Sequence, residues 1–412
     1  MINMLNENIF KRLVHQNVKL LKVLFVDING ELKSVFIPDN CFKRALQNEL
    51  MIDGSSICGF SSIDKADLYL KVDSKSLKII ENKNEAYIFS YVCKSNGENY
   101  ECDSRYVLKK QIDDYWEKHK FIFNVGFEPE FYILKKQNGD LIPIDGKNYF
   151  DLSELSSKIR CEISDEFNKL GYKVGPNHHE VGHGQNEVNY EYMEAMAAAD
   201  AILIFKQVAK IVGERNGCIV SFMPKIYSDL PGNGLHLNCS ITSDGENLFD
   251  GKESEYRRYF VNGLLKHSKS LMALTNSTIN SYKRTSSGGE APQYAFSSLA
   301  NRKAMIRIPD AKGDKARIEI RTVDALCNPY LTIACIMALG LNGINNKESF
   351  DLKKTKLPNS LEESLRYFSR DKLVKETFKE RLFKKYIEIK KREIIDFNNQ
   401  ITEYELGRYL NK

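Results

Sequence analysis

Three separate stretches of this chain alternate apolar and polar or charged residues with a period of two, which restricts what the chain can build. A β-strand places residues i and i+2 on the same face. In Phe127-Glu128-Pro129-Glu130-Phe131, Glu128 and Glu130 share a face. In Leu235-His236-Leu237-Asn238-Cys239-Ser240-Ile241, His236, Asn238 and Ser240 share one face, while Leu235, Leu237, Cys239 and Ile241 take the other. Arg317-Ile318-Glu319-Ile320-Arg321 repeats the arrangement with two arginines and a glutamate. One such strand alone reads as the solvated side of an amphipathic sheet. Recurrence on separate strands points to a sheet with one face packed on helices and the other gathering carboxylates, an imidazole and guanidinium groups.

If those faces converge, they make a pocket whose oxygen donors suit Mg²⁺ or Mn²⁺. Its arginines suit phosphate or carboxylate. Phosphoryl transfer from a nucleotide needs this combination, because metal and arginine neutralise charge on the moving group. The chain has no Gly-x-x-x-x-Gly-Lys-Ser/Thr loop, so a nucleotide site here has another design. Two further segments fit the pocket. Asn177-His178-His179-Glu180 and Gly184-Gln185-Asn186-Glu187 add two glutamates near turn residues, although an adjacent histidine pair is more often packed or hydrogen-bonded than a ligand set. Asn280 to Arg284 runs into Thr285-Ser286-Ser287-Gly288-Gly289-Glu290, a Gly/Ser loop with one carboxylate that reads as a surface loop or as a lid.

At 412 residues the chain is long enough for about two or three domains. Its 42% hydrophobic and 28% charged residues match a soluble globular protein. The longest apolar stretch, Leu331 to Leu341, is too short to cross a bilayer. Met1 to Gln16 lacks the continuous apolar segment of a secretory signal, so a cytoplasmic protein is expected. Nine scattered cysteines form no Cys-x-x-Cys pair and read as buried free thiols. The net charge of +5, spread along the chain, gives little support to a nucleic-acid partner.

The expected architecture is α+β, with a small strand-rich N-terminal domain over residues 15–100 and a larger domain over 103–412. Lys19 to Pro38 reads as two strands around a turn, followed by a helix from Asp39 to Glu49. Ser104 to Lys118, Leu152 to Leu170 and Glu191 to Asn216 read as helices, the last with a cap at Gly217. Pro358 to Lys412 is charged and helix-periodic.

Many ordered motifs then carry a resemblance. Asp53-Gly54-Ser55-Ser56-Ile57, Glu128-Pro129-Glu130-Phe131, His178-His179-Glu180-Val181, Gly184-Gln185-Asn186-Glu187, Phe222-Met223-Pro224-Lys225, Asn280-Ser281-Tyr282-Lys283-Arg284, Glu290-Ala291-Pro292, Asn301-Arg302, Ile306-Arg307-Ile308-Pro309 and Arg317-Ile318-Glu319-Ile320-Arg321 resemble those of type I glutamine synthetase, in the same order. The resemblance implies a β-grasp N-terminal domain, a catalytic domain with an antiparallel sheet backed by helices, and a homo-oligomer of two stacked hexameric rings. It implies an ATP-dependent ligation of ammonia to glutamate through γ-glutamyl phosphate, with two or more Mg²⁺ or Mn²⁺ ions per site. By motif position, Glu130, Glu180 and Glu187 resemble ligands of one ion, and Glu128, His236 and Glu319 those of another. Arg284, Arg321, Gly232 and His236 correspond to glutamate-binding positions. Arg302, Arg307, Lys315, Arg317, Asn238 and Ser240 correspond to ATP-binding ones, with Arg302 also catalytic. Asp53 from an adjacent subunit and Glu290 on the flap would bind and deprotonate ammonium.

The chain departs from the family pattern in places. Pro231-Gly232-Asn233-Gly234-Leu235-His236 stands where Asn-Gly-Ser-Gly-Met-His is usual, and Ser287-Gly288-Gly289-Glu290 where Pro-Gly-Tyr-Glu is usual. Between Leu331 and Arg366 no tyrosine marks an adenylylation loop, and Ser62 occupies the place of a feedback arginine. Two alternatives remain open at this level: a γ-glutamylamide ligase of the same fold taking an organic amine, and an inactive regulatory homologue.

Overall fold

The computed structural model describes residues 4–80, 83–286, 288–350 and 355–412; of the expected flap, Ser287 lies outside the described residues. Two sheets organise these residues. The first has the strand order Leu32–Pro38, Leu20–Val26, Glu85–Cys93, Asp67–Val72, Leu50–Asp53, with Lys78–Ile80 also paired to Glu85–Cys93. Leu20–Val26 forms the expected hairpin with Leu32–Pro38 and runs parallel to Glu85–Cys93. Its turn is local chemistry: the Asp27 carboxylate accepts from the backbone N–H of Asn29 and Glu31 at 2.9 and 3.0 Å. Gly30 closes the turn at φ +87°, and a Cβ there would lie 2.7 Å from the Asn328 Cα. Asn328 caps the helix Pro329–Asn345 and donates to the Ile28 carbonyl at 3.1 Å, so the turn docks on a helix of the second part.

The second sheet has twelve strands. Its main path runs Thr355–Lys356, Tyr294–Ser298, Ala304–Arg307, Ile318–Ile320, Leu235–Ser243, Ile122–Gln137, Gln185–Tyr190, Val174–His179. The expected antiparallel pairing holds along it with one exception: Tyr294–Ser298 runs parallel to Ala304–Arg307. Ile122–Gln137 is the longest strand, and its alternation is the reason the site exists. Phe123, Val125, Phe127, Phe131 and Ile133 are buried on one side. There Phe131 meets Phe205 of helix Ala195–Arg215, and Phe123 stacks on Phe260 of helix Glu255–Lys266. Glu128 and Glu130 consequently point to the opposite side.

The two parts are also joined by a buried ionic network. The fully buried Arg105, near the start of helix Ser104–His119, donates to both oxygens of Asp200 at 3.0 and 2.8 Å and to Asp73 at 2.8 Å. Tyr330 donates to the same Asp200 at 2.6 Å. Removing one partner strands a buried charge, so Asp200→Ala is expected to lower stability by about 3–5 kcal/mol in urea unfolding. A loss below about 1 kcal/mol would show that solvent reaches the network.

Several expected element boundaries move. The Asp39 to Glu49 segment splits into a 3₁₀ turn, Asp39–Cys41, and a short helix, Phe42–Leu46, which gives way to Asn48 at φ +62°. The helix expected from Glu191 begins at Ala195, because Met193–Glu194 pairs with Val125 and Asn124. Gly217 does close it, at φ +64°. The charged, helix-periodic C-terminal segment forms Leu361–Phe368, then Lys372–Asn398 with a kink at Lys379 (φ +63°), then Glu403–Tyr409. Ser360, Asp371 and Thr402 cap them in turn. No helix among the described residues is long and apolar enough to cross a membrane.

Candidate active site

Strand register, which sequence does not display, brings the polar faces together. Glu187 sits opposite Glu130 on one side and His178 on the other. His236 sits opposite Glu128. Glu319 pairs with Asn238 and, on its far side, with Arg307. Among the described residues three groups of potential metal ligands result, each with donor atoms within 4.8 Å of one another: Glu128, His236 and Glu319; Glu130, Glu187 and His236; His178, Glu180 and Glu187. All six expected ligands are included, and His236 links the first two groups.

The donor set fits divalent ions. His236 Nδ1 lies 3.5 Å from Glu128 and 3.8 Å from Glu319, and its Nε2 is 3.7 Å from Glu130. These gaps are long for hydrogen bonds. They match two donors on one metal, each about 2.0–2.2 Å from it. The carboxylates also respond to their crowding. Burial, then the charges of Glu130, Glu128 and Glu180, pushes Glu187 up to about 9. Burial likewise raises Glu130, with Glu180 adding to it. Burial acts on Glu128 too, but the neighbouring His236 ring, the hydrogen bond from Asn238 and the Arg317 charge outweigh it and hold this carboxyl at about 2. A face on which some carboxylates retain protons that a cation would replace is prepared for metal binding.

On one flank of the donors is a cavity of about 410 Å³, lined by Glu128, Asn238, Ser240, Lys315, Arg317 and Tyr192 among others. Four of the expected ATP-binding residues therefore share it. Asn238 spans the boundary: its amide donates to Glu128 at 2.9 Å and its carbonyl accepts from Arg317 Nε at 2.9 Å. The turn carrying Lys315 is fixed by Asn247, which donates to the carbonyls of Gly313 and Ala316.

On the other flank lie the remaining arginines. Glu319 is fully buried, and Arg307 and Arg321 donate to its two oxygens. Arg321 also reaches Glu290 at 3.3 Å, and Arg302 lies 3.7 Å from the same carboxylate. Glu290 is 60% exposed and follows Gly288 and Gly289, both at positive φ. The buried Arg284 donates to the carbonyls of Arg321, Thr322 and Val323. The altered segment before His236 is tightly packed: a Cβ on Gly232 would lie 2.4 Å from the Pro224 carbonyl, and one on Gly234 would lie 2.7 Å from Arg284 Nη2. Gly232 also accepts from Gln185 at 3.2 Å.

Asp53 is placed apart from this constellation. It is exposed, with hydrogen bonds to Ser55 and Ser56 of its own turn. Sequence reasoning overlooked Tyr149, whose ring packs edge-on to His178 at 5.5 Å, because nothing marks an aromatic in a loop. It also treated His178 and His179 alike. Strand alternation separates them: His179 is buried with its Nε2 on Asp145 at 3.0 Å, whereas His178 faces the carboxylates.

The comparisons with known proteins agree with this geometry. A family model described as "Glutamine synthetase, catalytic domain" matches residues 101–409, and one described as "Glutamine synthetase, beta-Grasp domain" matches residues 17–95. The chain is 40% identical to glutamine synthetase of Thermococcus kodakarensis, over 95% of each chain. It is 35% identical to that of Clostridium saccharobutylicum, over 98% of each. Among solved structures, one described as "GmaS/ADP complex-Conformation 1" superposes with a TM-score of 0.89 at 26% identity, covering 100% of both chains. Plasmodium falciparum glutamine synthetase shares the fold, with a TM-score of 0.89 at 23% identity and 98% coverage of each chain.

Proposed function

The chain belongs to the glutamine synthetase family of ligases, and on that premise we propose that it joins ammonia to L-glutamate at the expense of ATP, through γ-glutamyl phosphate. The carrying observation is the row of donors centred on His236, with a cavity presenting Lys315 and Arg317 on one flank and clustered arginines on the other. ADP in a structural relative supports reading the cavity as the nucleotide site.

In this reading Asn238, Ser240, Lys315 and Arg317 hold the nucleotide, with Arg302 and Arg307 meeting the phosphoryl group as it moves. Glu130, Glu180 and Glu187 would hold one Mg²⁺ or Mn²⁺ ion, and Glu128, His236 and Glu319 a second. Bound there, the ions supply charge neutralisation to the phosphoryl oxygens. Arg321, Arg284, Gly232 and His236 orient glutamate so that its side-chain carboxylate faces the nucleotide. Ammonium is not a nucleophile until it loses a proton, and Glu290 with a neighbouring subunit's Asp53 would attract the cation and take that proton. The exposure of Asp53, whose carboxylate accepts hydrogen bonds from Ser55 and Ser56 of its own turn, is in keeping with a site completed between subunits of a homo-oligomer, which we take to be two stacked hexameric rings. The nine free cysteines accord with a reducing, cytoplasmic compartment.

The decisive measurement is ADP release by the purified protein. It should require glutamate, ammonium and a divalent ion together, and bulky amines should substitute poorly for ammonium. Preference for an alkylamine or diamine would replace this reading with that of a γ-glutamylamide ligase. Assembly is tested by mixing two inactive variants, Asp53→Ala and Glu187→Gln. Hybrid oligomers should recover part of the activity, since one interface can combine an intact Asp53 with an intact metal site. Verified hybrids without activity would place the whole site within one chain.

A further inference from the structure

We infer that Asn233 is a positioning residue for glutamate, a role that rests on reading Arg284 and Gly232 as glutamate-binding. Its buried side-chain amide holds the loop Pro231-Gly232-Asn233-Gly234 against Arg284, so its loss weakens glutamate binding and leaves nucleotide binding in place.

The two glycines of the loop both lie against Arg284. An added Cβ would stand 2.8 Å from the Arg284 Cγ at Gly232 and 2.7 Å from its Nη2 at Gly234, so neither position has room for a side chain. Asn233, between them, is fully buried, and both N–H groups and the oxygen of its amide are engaged. Its Nδ2 donates to the carbonyls of Ser221 and Met223 at 3.2 and 3.0 Å, and its Oδ1 accepts from Gln185 Nε2 at 3.1 Å. Its backbone N–H adds a bond to the Pro224 carbonyl at 2.8 Å. A buried amide paired in this way resists displacement, because any movement leaves unsatisfied polar groups behind.

The segment that receives these bonds is itself fastened to the helix carrying Arg284. Asn280 of helix Ile279–Ser286 accepts from the Lys225 N–H at 2.8 Å and donates to the Lys225 carbonyl at 2.9 Å. Contacts therefore run in a closed circuit from Asn233 through residues 221–225 and Asn280 to Arg284, and back to the two glycines. Gln185 reinforces the loop by also donating to the Gly232 carbonyl at 3.2 Å. Pro231 has no polar side-chain group to share the task, so the side-chain hydrogen bonds made by this loop fall to Asn233. Serine, the residue of the family pattern at 233, has a single hydroxyl and cannot serve all three partners.

The test uses the full-length protein in the ADP-release assay, with glutamate and ATP varied in turn. In Asn233→Ala the KM for glutamate should rise about 10-fold or more, while the KM for ATP and the kcat at saturating glutamate change less than about threefold, the pattern of lost substrate binding. Asn233→Ser should fall between Asn233→Ala and the wild type. Since the family pattern carries serine there, this variant is expected to fold, and it decides the matter if Asn233→Ala does not. Urea unfolding records the stability of each. A variant that loses stability yet keeps the wild-type KM for glutamate, or one in which both KM values rise together, reduces Asn233 to a packing role and overturns the inference while the proposed reaction stands. A wild type that releases no ADP with glutamate overturns the proposed reaction, and this role with it.

Discussion

Glu187→Gln is expected to lose metal-dependent ADP formation by about 10³-fold or more, because a lost oxygen ligand weakens both ion binding and neutralisation of the moving phosphoryl group. The same change should stabilise the metal-free protein. Glu187 keeps its proton up to a pH of about 9 in the fold, whereas an unfolded glutamate loses it near 4.5. Between those values the native state binds more protons than the unfolded one, so stability falls as pH rises. Burial beside Glu130, Glu128 and Glu180 is the cause, and a divalent ion removes it by taking the place of the proton. Metal-free wild type should therefore be less stable at pH 8 than at pH 5.5, with Mn²⁺ or Mg²⁺ restoring more at the higher pH. Glu187→Gln should flatten that dependence and gain about 1–3 kcal/mol at pH 8 in urea unfolding. Near-normal turnover of the variant at limiting Mg²⁺, or wild-type stability that climbs from pH 5.5 to 8 without metal, would falsify the assignment.

Glu290→Ala is expected to lose glutamine formation by about 10²-fold while phosphate release from ATP, still dependent on glutamate, falls by less than about tenfold. The two tasks rest on different residues. Phosphoryl transfer is assigned to the arginines and the buried donors, all of which remain. The exposed Glu290 contacts Arg321 and Arg302, so under the proposed reaction a glutamate carboxylate would compete for the same guanidinium groups. Glu290 would then turn to ammonium, a swing that the two glycines before it permit. Without this carboxylate the acyl phosphate meets water more often than a deprotonated amine. Simultaneous assay of phosphate and glutamine distinguishes the outcomes: full coupling in the variant, or equal loss of both products, removes Glu290 from the ammonia site.

Much of this protein was legible in its residues because local rules wrote it there. Period-two alternation assigned Glu128 with Glu130, and His236 with Asn238 and Ser240, to single faces before any neighbour was known. The Asp27 turn, the Gly217 cap and the capping residues of the C-terminal helices are likewise local. The ordered motifs identified the family. Tertiary structure alone decided which faces meet, because strand order and register depend on contacts far apart in sequence. Nothing in the sequence sets Leu235–Ser243 between the long strand and Ile318–Ile320, yet that order places His236 between Glu128, Glu130 and Glu319. The histidine pair shows the limit most sharply: adjacency suggested one fate for both. A pleated strand must send successive side chains to opposite sides, and only the position of the strand beside Gln185–Tyr190 determines that His178 meets the carboxylates while His179 meets Asp145.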